Sequence, residues 1–239
     1  FGISFTKSIL NQAGALVLVY ADGSVQLNHD GTEMGQGLHT KMRAICADAL
    51  GVSVAHVRVM HTATDKVPNT SATAASSGSD LNGQAVAQAC EIIRERMRPV
   101  AAELLACQPE EVVFDDGVIR GSTPDTLTFS ELAQACWLRQ ISLSATGFYR
   151  TPGITYDYAS GRGRPFYYFA YGGAVTEVEI SALTGEHRVL RVDILHDVGN
   201  SLVPSIDKGQ VEGAYVQGLG WLTMEEVLNG DEGRLKTPG

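Results

Sequence analysis

Apolar and polar residues alternate through AGALVLVYADGSVQLN (13–28) about a central Asp22-Gly23, the short-range signature of a β-hairpin. The period then changes. Leu38, Met42, Ile45, Ala49 and Leu50 fall at helical spacing, and Gly51 follows as the residue to close that helix. Residues 54–61 alternate again and predict a strand. A long stretch of small and polar residues, 65–83, leads into a second helix from about Ser79 to Leu105, with Ser79 or Asp80 as N-cap. Pro99 inside it marks a kink or break. Residues 112–121 read as a hairpin about Asp116-Gly117, Thr128 or Ser130 caps a helix to about Arg139, and 142–150 read as a strand. The Gly/Pro/Arg-rich segment 151–166 has few periodic apolar positions and predicts a loop. Strands over 167–180 and 187–198 flank a turn at 183–185, and a last helix runs from Pro204 to about Val227. Helices and hairpins alternate without βαβ order, so the fold class expected is α+β, mixed β-sheets and hairpins packed with helices. No repeat or linker divides the chain; it reads as one region, 1–239, with possible subdomains 1–150 and 151–239.

Composition narrows the functions. With 44% hydrophobic and 19% charged residues, the chain can bury a core and is not of the disordered class. A net charge of −9 without any basic stripe excludes nucleic acid as the partner expected. No apolar run approaches the ~18–20 residues of a membrane span, and no signal-peptide pattern is read at the start. Cys46, Cys90, Cys107 and Cys136 contain no C-x-x-C spacing, so no zinc site or iron–sulfur cluster is expected on them. They read as reduced thiols of a cytoplasmic protein. Beginning at Phe1 and ending in Thr-Pro-Gly, the sequence reads as a piece of a longer chain.

Three stretches are candidates for chemistry. Gly35-Gln36-Gly37 stands at the entry to the first helix, where first-turn N–H groups would point outward and the Gln36 amide offers both donors and acceptors. A plain tight turn explains the same residues. SATAASSGSD (71–80) holds no large side chain and ends at a helix N-terminus, so backbone and hydroxyls could wrap a ligand; a flexible Ser/Ala loop is the plain alternative. In DKGQVEGAYVQGLG (207–220), Gln210, Ala214 and Gln217 share a helix face, which is more often merely solvated. Phe5 and Ile3 would share a strand face. His29 and His39 flank the glycine stretch without a spaced third ligand, so no metal held directly by protein side chains is expected. No nucleophile–His–acid set emerges either.

Taken together, FGISFT, GTEMGQGLHTKM, VPNTSATAASSGSDLNGQAV, ISLSATGFYRTP, YFAYGGAVTEVEI and HDVGNSLVPSIDKGQVEGAYVQGLGWLT resemble the molybdenum hydroxylases over nearly the whole chain. Within that family the likeness is to the molybdopterin-binding (large) subunit of bacterial xanthine dehydrogenase. The resemblance implies a molybdopterin cofactor whose own dithiolate holds an oxo/sulfido molybdenum, and the hydroxylation of hypoxanthine and xanthine in purine catabolism with water as oxygen source. It also implies FAD and 2Fe-2S clusters on partner domains or a partner subunit, together with the remainder of the molybdopterin subunit. By similarity, Gly35, Gln36 and Gly37, the loop Thr73, Ala74, Ala75, Ser76 and Ser77, and Gln210 contact the cofactor. Phe5 and Thr6 match the substrate-pocket pair, Ala75 approaches the substrate, and Ile9 and Leu10 match walls of the access channel. Aldehydes or other N-heterocycles as substrates, and a non-catalytic assembly module, are the alternatives.

The sequence departs from the family at three points. Asp30 stands where two glycines commonly follow the histidine, Lys7 replaces an apolar channel residue, and Gly78 lacks a hydroxyl found in some relatives. The family's K-A-V-G-E-P-P segment, which carries its catalytic glutamate, does not occur in this sequence, nor does its G-G-F-G-G-K-E turn. No catalytic residue is therefore expected within residues 1–239, and the chain alone is expected to be inactive.

Overall fold

The structure is a computed structural model that describes residues 2–3, 10–67 and 70–236. The chain forms two compact units, Phe1–Asp197 and Val198–Gly239.

In the first unit, a short strand β1 (Gly2–Ile3) precedes β2 (Gln12–Val19) and β3 (Val25–His29), the hairpin expected from the alternation about Asp22-Gly23. Gly23 takes the left-handed conformation at φ 83°, and the Asp22 carboxylate accepts from the Ser24 amide at 2.9 Å. Helix α1 (Leu38–Leu50) follows, closed by Gly51 at φ 67° as its sequence requires. Strand β4 (Val57–Val59) lies parallel to β3. It is shorter than expected. Ser53 caps a 3₁₀ turn at Val54–His56, which takes the first residues of the alternating run out of the strand. Helix α2 (Gly78–Leu104) then runs unbroken through Pro99, because Met97, Val100 and Ala101 bury on both sides of the proline and core packing outweighs its missing donor.

Strands β5 (Val113–Asp115), β6 (Val118–Arg120) and β7 (Thr126–Thr128) make an antiparallel meander. Helix α3 (Phe129–Leu138) opens on a capping box between Thr128 and Glu131. Strand β8 (Ser144–Arg150) returns to pair with β2 and completes a four-stranded sheet in the order β4-β3-β2-β8. The expected loop at 151–166 contains a hairpin, β9 (Thr155–Asp157) with β10 (Arg162–Arg164). Its residues are exposed on both faces, so no apolar alternation announced it. Strand β11 (Phe169–Ala170) pairs with β1, and β12 (Gly172–Ile180) with β13 (His187–His196) forms a long antiparallel ribbon.

The core lies between the four-stranded sheet and helices α1 and α2. Ala13, Ala15, Val17 and Val19 of β2 face Leu81, Ala85, Ala89, Ile93 and Met97 of α2, all buried. Small residues here reflect a close approach: a Cβ on Gly147 of β8 would lie 1.9 Å from the Ala85 carbonyl oxygen. Leu38 and Met42 of α1 are likewise fully buried, each such side chain worth about 1.5–3 kcal/mol of transfer free energy. This packing fixes where the two helices begin.

The second unit contains α4 (Pro204–Thr223), with Pro204 at its first turn, and a short bridge between Asn229 and Leu235. The helix stops before the expected Val227, and it buries none of its residues.

Candidate functional site

The N-termini of α1 and α2 meet. A Cβ on Gly78, the first residue of α2, would touch Leu38 Cδ1 at 3.1 Å, and one on Gly31 would press Leu38 Cδ2 at 2.5 Å. The two small-residue loops that enter these helices are therefore side by side. A hydrogen bond from the Thr32 amide to Thr73 Oγ1 at 2.9 Å joins them directly. On the far side of the second loop, the Ser71 amide donates to the Gln12 carbonyl at 3.1 Å, and the Gly14 amide to Thr70 Oγ1 at 3.1 Å, which anchors the loop to strand β2. Asp30, Thr32, Thr62, Thr70, Ser71 and Thr73 line an open cavity of about 470 Å³ between the loops.

The turn at 33–39 is held by a residue that sequence reasoning passed over. Glu33 Oε1 accepts from the amides of Gly35 and Gly37, both at 2.9 Å, and Oε2 accepts from the His39 amide at 2.9 Å. The expected outward-pointing amides at the start of α1 are thus partly taken by this carboxylate. Burial works to raise the Glu33 pKa, but the three amide bonds and the nearby His39 hold it below the usual value. Gly35 and Gly37 sit at φ 97° and 74°, the left-handed region where side chains are strained. Nothing lies within 4 Å of a Cβ placed on Gly35, so its outer side is open. The Gln36 amide spans its own loop: Nε2 donates to the Thr32 carbonyl at 2.9 Å and Oε1 accepts from the Met34 amide at 2.6 Å. One N–H and one lone pair remain for a ligand.

The two histidines, distant in sequence from any partner set, come together beneath this turn. His29 Nδ1 accepts from the Gly31 amide at 3.2 Å, which places its proton on Nε2 for the 2.9 Å contact with His39 Nδ1. His29 is buried, and desolvation first, then His39, lowers its pKa to about 4 despite Glu33. Among the described residues, no group of three or more His, Cys, Asp or Glu is placed to hold a metal ion.

In the second loop, Ala74, Ala75 and Ser76 are exposed, and Ala75 is left-handed at φ 52°, an uncommon conformation for a residue with a Cβ. Ser77 is buried, and its hydroxyl donates to the Ala74 carbonyl at 3.0 Å rather than capping α2, which starts at Gly78 and so earlier than expected. Asp80 lies in the first turn of α2; burial raises its pKa, against hydrogen bonds from Tyr168 at 3.0 Å and the Leu81 amide at 2.9 Å. Asp30 has no left-handed backbone, and burial raises its carboxyl despite a hydrogen bond with Thr70. Asn82 of α2 is buried, and its Oδ1 finds no hydrogen-bond partner among the described residues.

The remaining sequence candidates fall elsewhere. Phe5, Thr6, Lys7 and Ile9 lie outside the described residues. Leu10 is exposed. Gln210 and Gln217 lie on α4 in the second unit. The four cysteines are free, and the Cys46 and Cys90 thiols are buried 3.6 Å apart.

The arrangement offers hydroxyls, backbone donors and one side-chain amide around open, small-residue surface. These neutral donors suit a heteroatom-rich ring, and paired helix N-termini suit anionic groups. The acids have partners of their own: Glu33 is answered by three amides, Asp80 by Tyr168 and the Leu81 amide, and Asp30 by Thr70, with burial raising its carboxyl toward the neutral form.

Comparison with known proteins follows the same line. The molybdopterin cofactor-binding domain family matches residues 1–239. Xanthine dehydrogenase/oxidase of Felis catus is 52% identical over 239 residues, which is 100% of this chain and 16% of that protein. Xanthine dehydrogenase of Oryza sativa subsp. japonica is 49% identical over 232 residues, 97% of this chain and 16% of that protein. The chain thus spans 16% of the length of these curated relatives. The crystal structure of quinoline 2-oxidoreductase from Pseudomonas putida 86 superposes with a TM-score of 0.85 at 26% identity, over 99% of this chain and 31% of that one. The Cu,Mo-CO dehydrogenase superposes at 0.83 with 22% identity, over 98% and 30%, a likeness of fold.

Proposed function

The chain belongs to the molybdopterin cofactor-binding domain family, and from that premise we propose that it forms part of the cofactor cradle and substrate pocket of a xanthine dehydrogenase-type hydroxylase. The observation that carries this reading is the Thr32–Thr73 hydrogen bond, which joins the two candidate loops at adjoining helix N-termini. When bound, the molybdenum cofactor supplies two-electron oxidation of a substrate carbon, with water as the source of oxygen.

The chain's own residues bind and orient. Gln36 uses its remaining N–H and lone pair, and the backbone and hydroxyls of Thr73, Ala74, Ala75, Ser76 and Ser77 follow the cofactor on the other side. Gly35 and Gly37 keep side chains away from it, and Gln210 contributes from α4. Phe5 places its ring against a purine, the Thr6 hydroxyl hydrogen-bonds the purine, Ala75 borders the substrate, and Ile9 and Leu10 exclude water along its approach. The general base comes from outside residues 1–239.

Other parts of the holoenzyme are implied: FAD and 2Fe-2S clusters that remove the electrons, and the remainder of the molybdopterin subunit. Exposed apolar residues on the β12–β13 ribbon, including Val175, Ile180 and Leu195, support such neighbours. Four free thiols suit a cytoplasmic setting. The roughly 50% identity to xanthine dehydrogenases favours purines; the likeness to quinoline 2-oxidoreductase keeps other N-heterocycles as a second reading. Molybdenum and pterin analysis of the full-length enzyme, followed by a panel of hypoxanthine, xanthine, quinoline and an aldehyde, tests both. Stoichiometric cofactor with purine preference is expected. A protein without pterin, made beside its maturation factors, would instead be an assembly module.

A further inference from the structure

Resting on the cofactor reading above, we propose that Glu33 is the positioning residue for Gln36: its carboxylate, clamped between the amides on either side of residue 36, sets the turn that presents the Gln36 side chain. The geometry is specific to that residue. Oε1 takes the N–H of Gly35 and the N–H of Gly37, which bracket Gln36, and Oε2 takes the N–H of His39 in the first turn of α1. Gly37 is the N-cap of α1 and makes no side-chain cap bond of its own, so the first-turn amide of His39 is taken by Glu33 instead. Two glycines in three residues would otherwise leave this segment with wide backbone freedom.

Glu33 acts on Gln36 through the backbone. The Gln36 amide is oriented by the Thr32 carbonyl and the Met34 amide, the groups on either side of Glu33. Fixing Glu33 therefore fixes both the Cα of Gln36 and the two groups that aim its amide. An ionised carboxylate is needed because all three partners donate. A glutamine of the same shape would turn its NH₂ toward at least one of those N–H groups, replacing a charge-assisted bond with two opposed donors. The segment is also tied down from outside, by Thr73 at the Thr32 amide and by Thr62 Oγ1 at the Gly31 carbonyl, 2.9 Å each. Loss of Glu33 should therefore loosen residues 33–37 while α1 and the second loop stay in place.

The test is a double-mutant cycle in the full-length enzyme, reading the rate of pterin and molybdenum loss during dialysis. Glu33→Gln and Gln36→Ala are each expected to speed loss roughly tenfold or more, as the removal of a charge-assisted hydrogen bond allows. The double variant should lose cofactor no faster than the worse single one, because both act through the same contact. Hydrogen exchange of the cofactor-free full-length protein should show faster exchange at Gly35, Gly37 and His39 in Glu33→Gln, with Ile45 and Cys46 unchanged. Should Glu33→Gln fail to fold, Glu33→Asp, which keeps the charge but shortens the reach, enters the same cycle with a smaller expected effect. Additive effects, or a Glu33 variant that holds cofactor as well as the parent while Gln36→Ala does not, would overturn the proposal. If Gln36→Ala alone holds cofactor normally, the cofactor role of Gln36 itself fails, and the role of Glu33 fails with it.

Discussion

His29 shows how one residue can couple the candidate site to pH. Its ring is buried at 1% exposure, accepts from the Gly31 amide and contacts His39, so the folded chain holds it neutral. The folded pKa is about 4 against an ordinary 6.5. Between these values the unfolded chain binds a proton that the folded chain does not, so stability falls as pH drops from 6.5 toward 4, by at most about 3 kcal/mol. His29→Gln should shrink the difference between urea midpoints at pH 7 and pH 5; an undiminished difference would show that other groups carry the acid limb. Glu33 works in a lower window. Its folded pKa is below the ordinary 4.5, so its contribution is present above that value and is lost as pH falls through the folded one. Neither effect could be read from spacing, because ten residues separate the histidines and the burial that shifts His29 is tertiary.

At the level of elements, close backbone approach and capping decide more than hydrophobic periodicity. Gly147→Ala would place a methyl group against the Ala85 carbonyl and must push α2 off β8, a loss of about 1–3 kcal/mol or more. Gly173→Ala, where a Cβ meets nothing within 4 Å, should be near neutral, and thermal unfolding of the pair separates a contact effect from a general glycine effect. Thr128→Ala removes one half of the α3 capping box and should cost about 1 kcal/mol by the same measurement. The α1 boundaries were legible because Leu38, Met42 and Leu50 bury on one stripe and Gly51 closes it. The strand expected at 54–61 was not, because a Ser53 cap and a 3₁₀ turn compete locally with extended backbone.

For the whole molecule, the two loops form a candidate site only because the sheet and helix core brings their helices together. The chain carries a cradle in this reading but no general base, so purified residues 1–239 should form no xanthine or urate from hypoxanthine. Turnover by the chain alone, followed by product absorbance, would refute that division of labour. Strand β12 is exposed along its length, β13 at all but Val189 and Val192, and α4 has no fully buried residue. In the holoenzyme proposed above, the exposed apolar residues of the ribbon, among them Val175, Ile180 and Leu195, offer surface to neighbouring polypeptide.

By itself the sequence determined the α+β class, the main helices and hairpins, and the family, because amphipathic period, turn glycines and family motifs are local properties of the chain. It also marked Gly35-Gln36-Gly37 and residues 71–80 as unusual. Only the tertiary structure decided that these stretches adjoin, since the Thr32–Thr73 bond and the Leu38–Gly78 contact join residues about forty positions apart. It also decided that Glu33, an ordinary acid in the sequence, binds three amides at once. A carboxylate's partners depend on how the backbone turns around it, and that turn exists only when the helices behind it are packed.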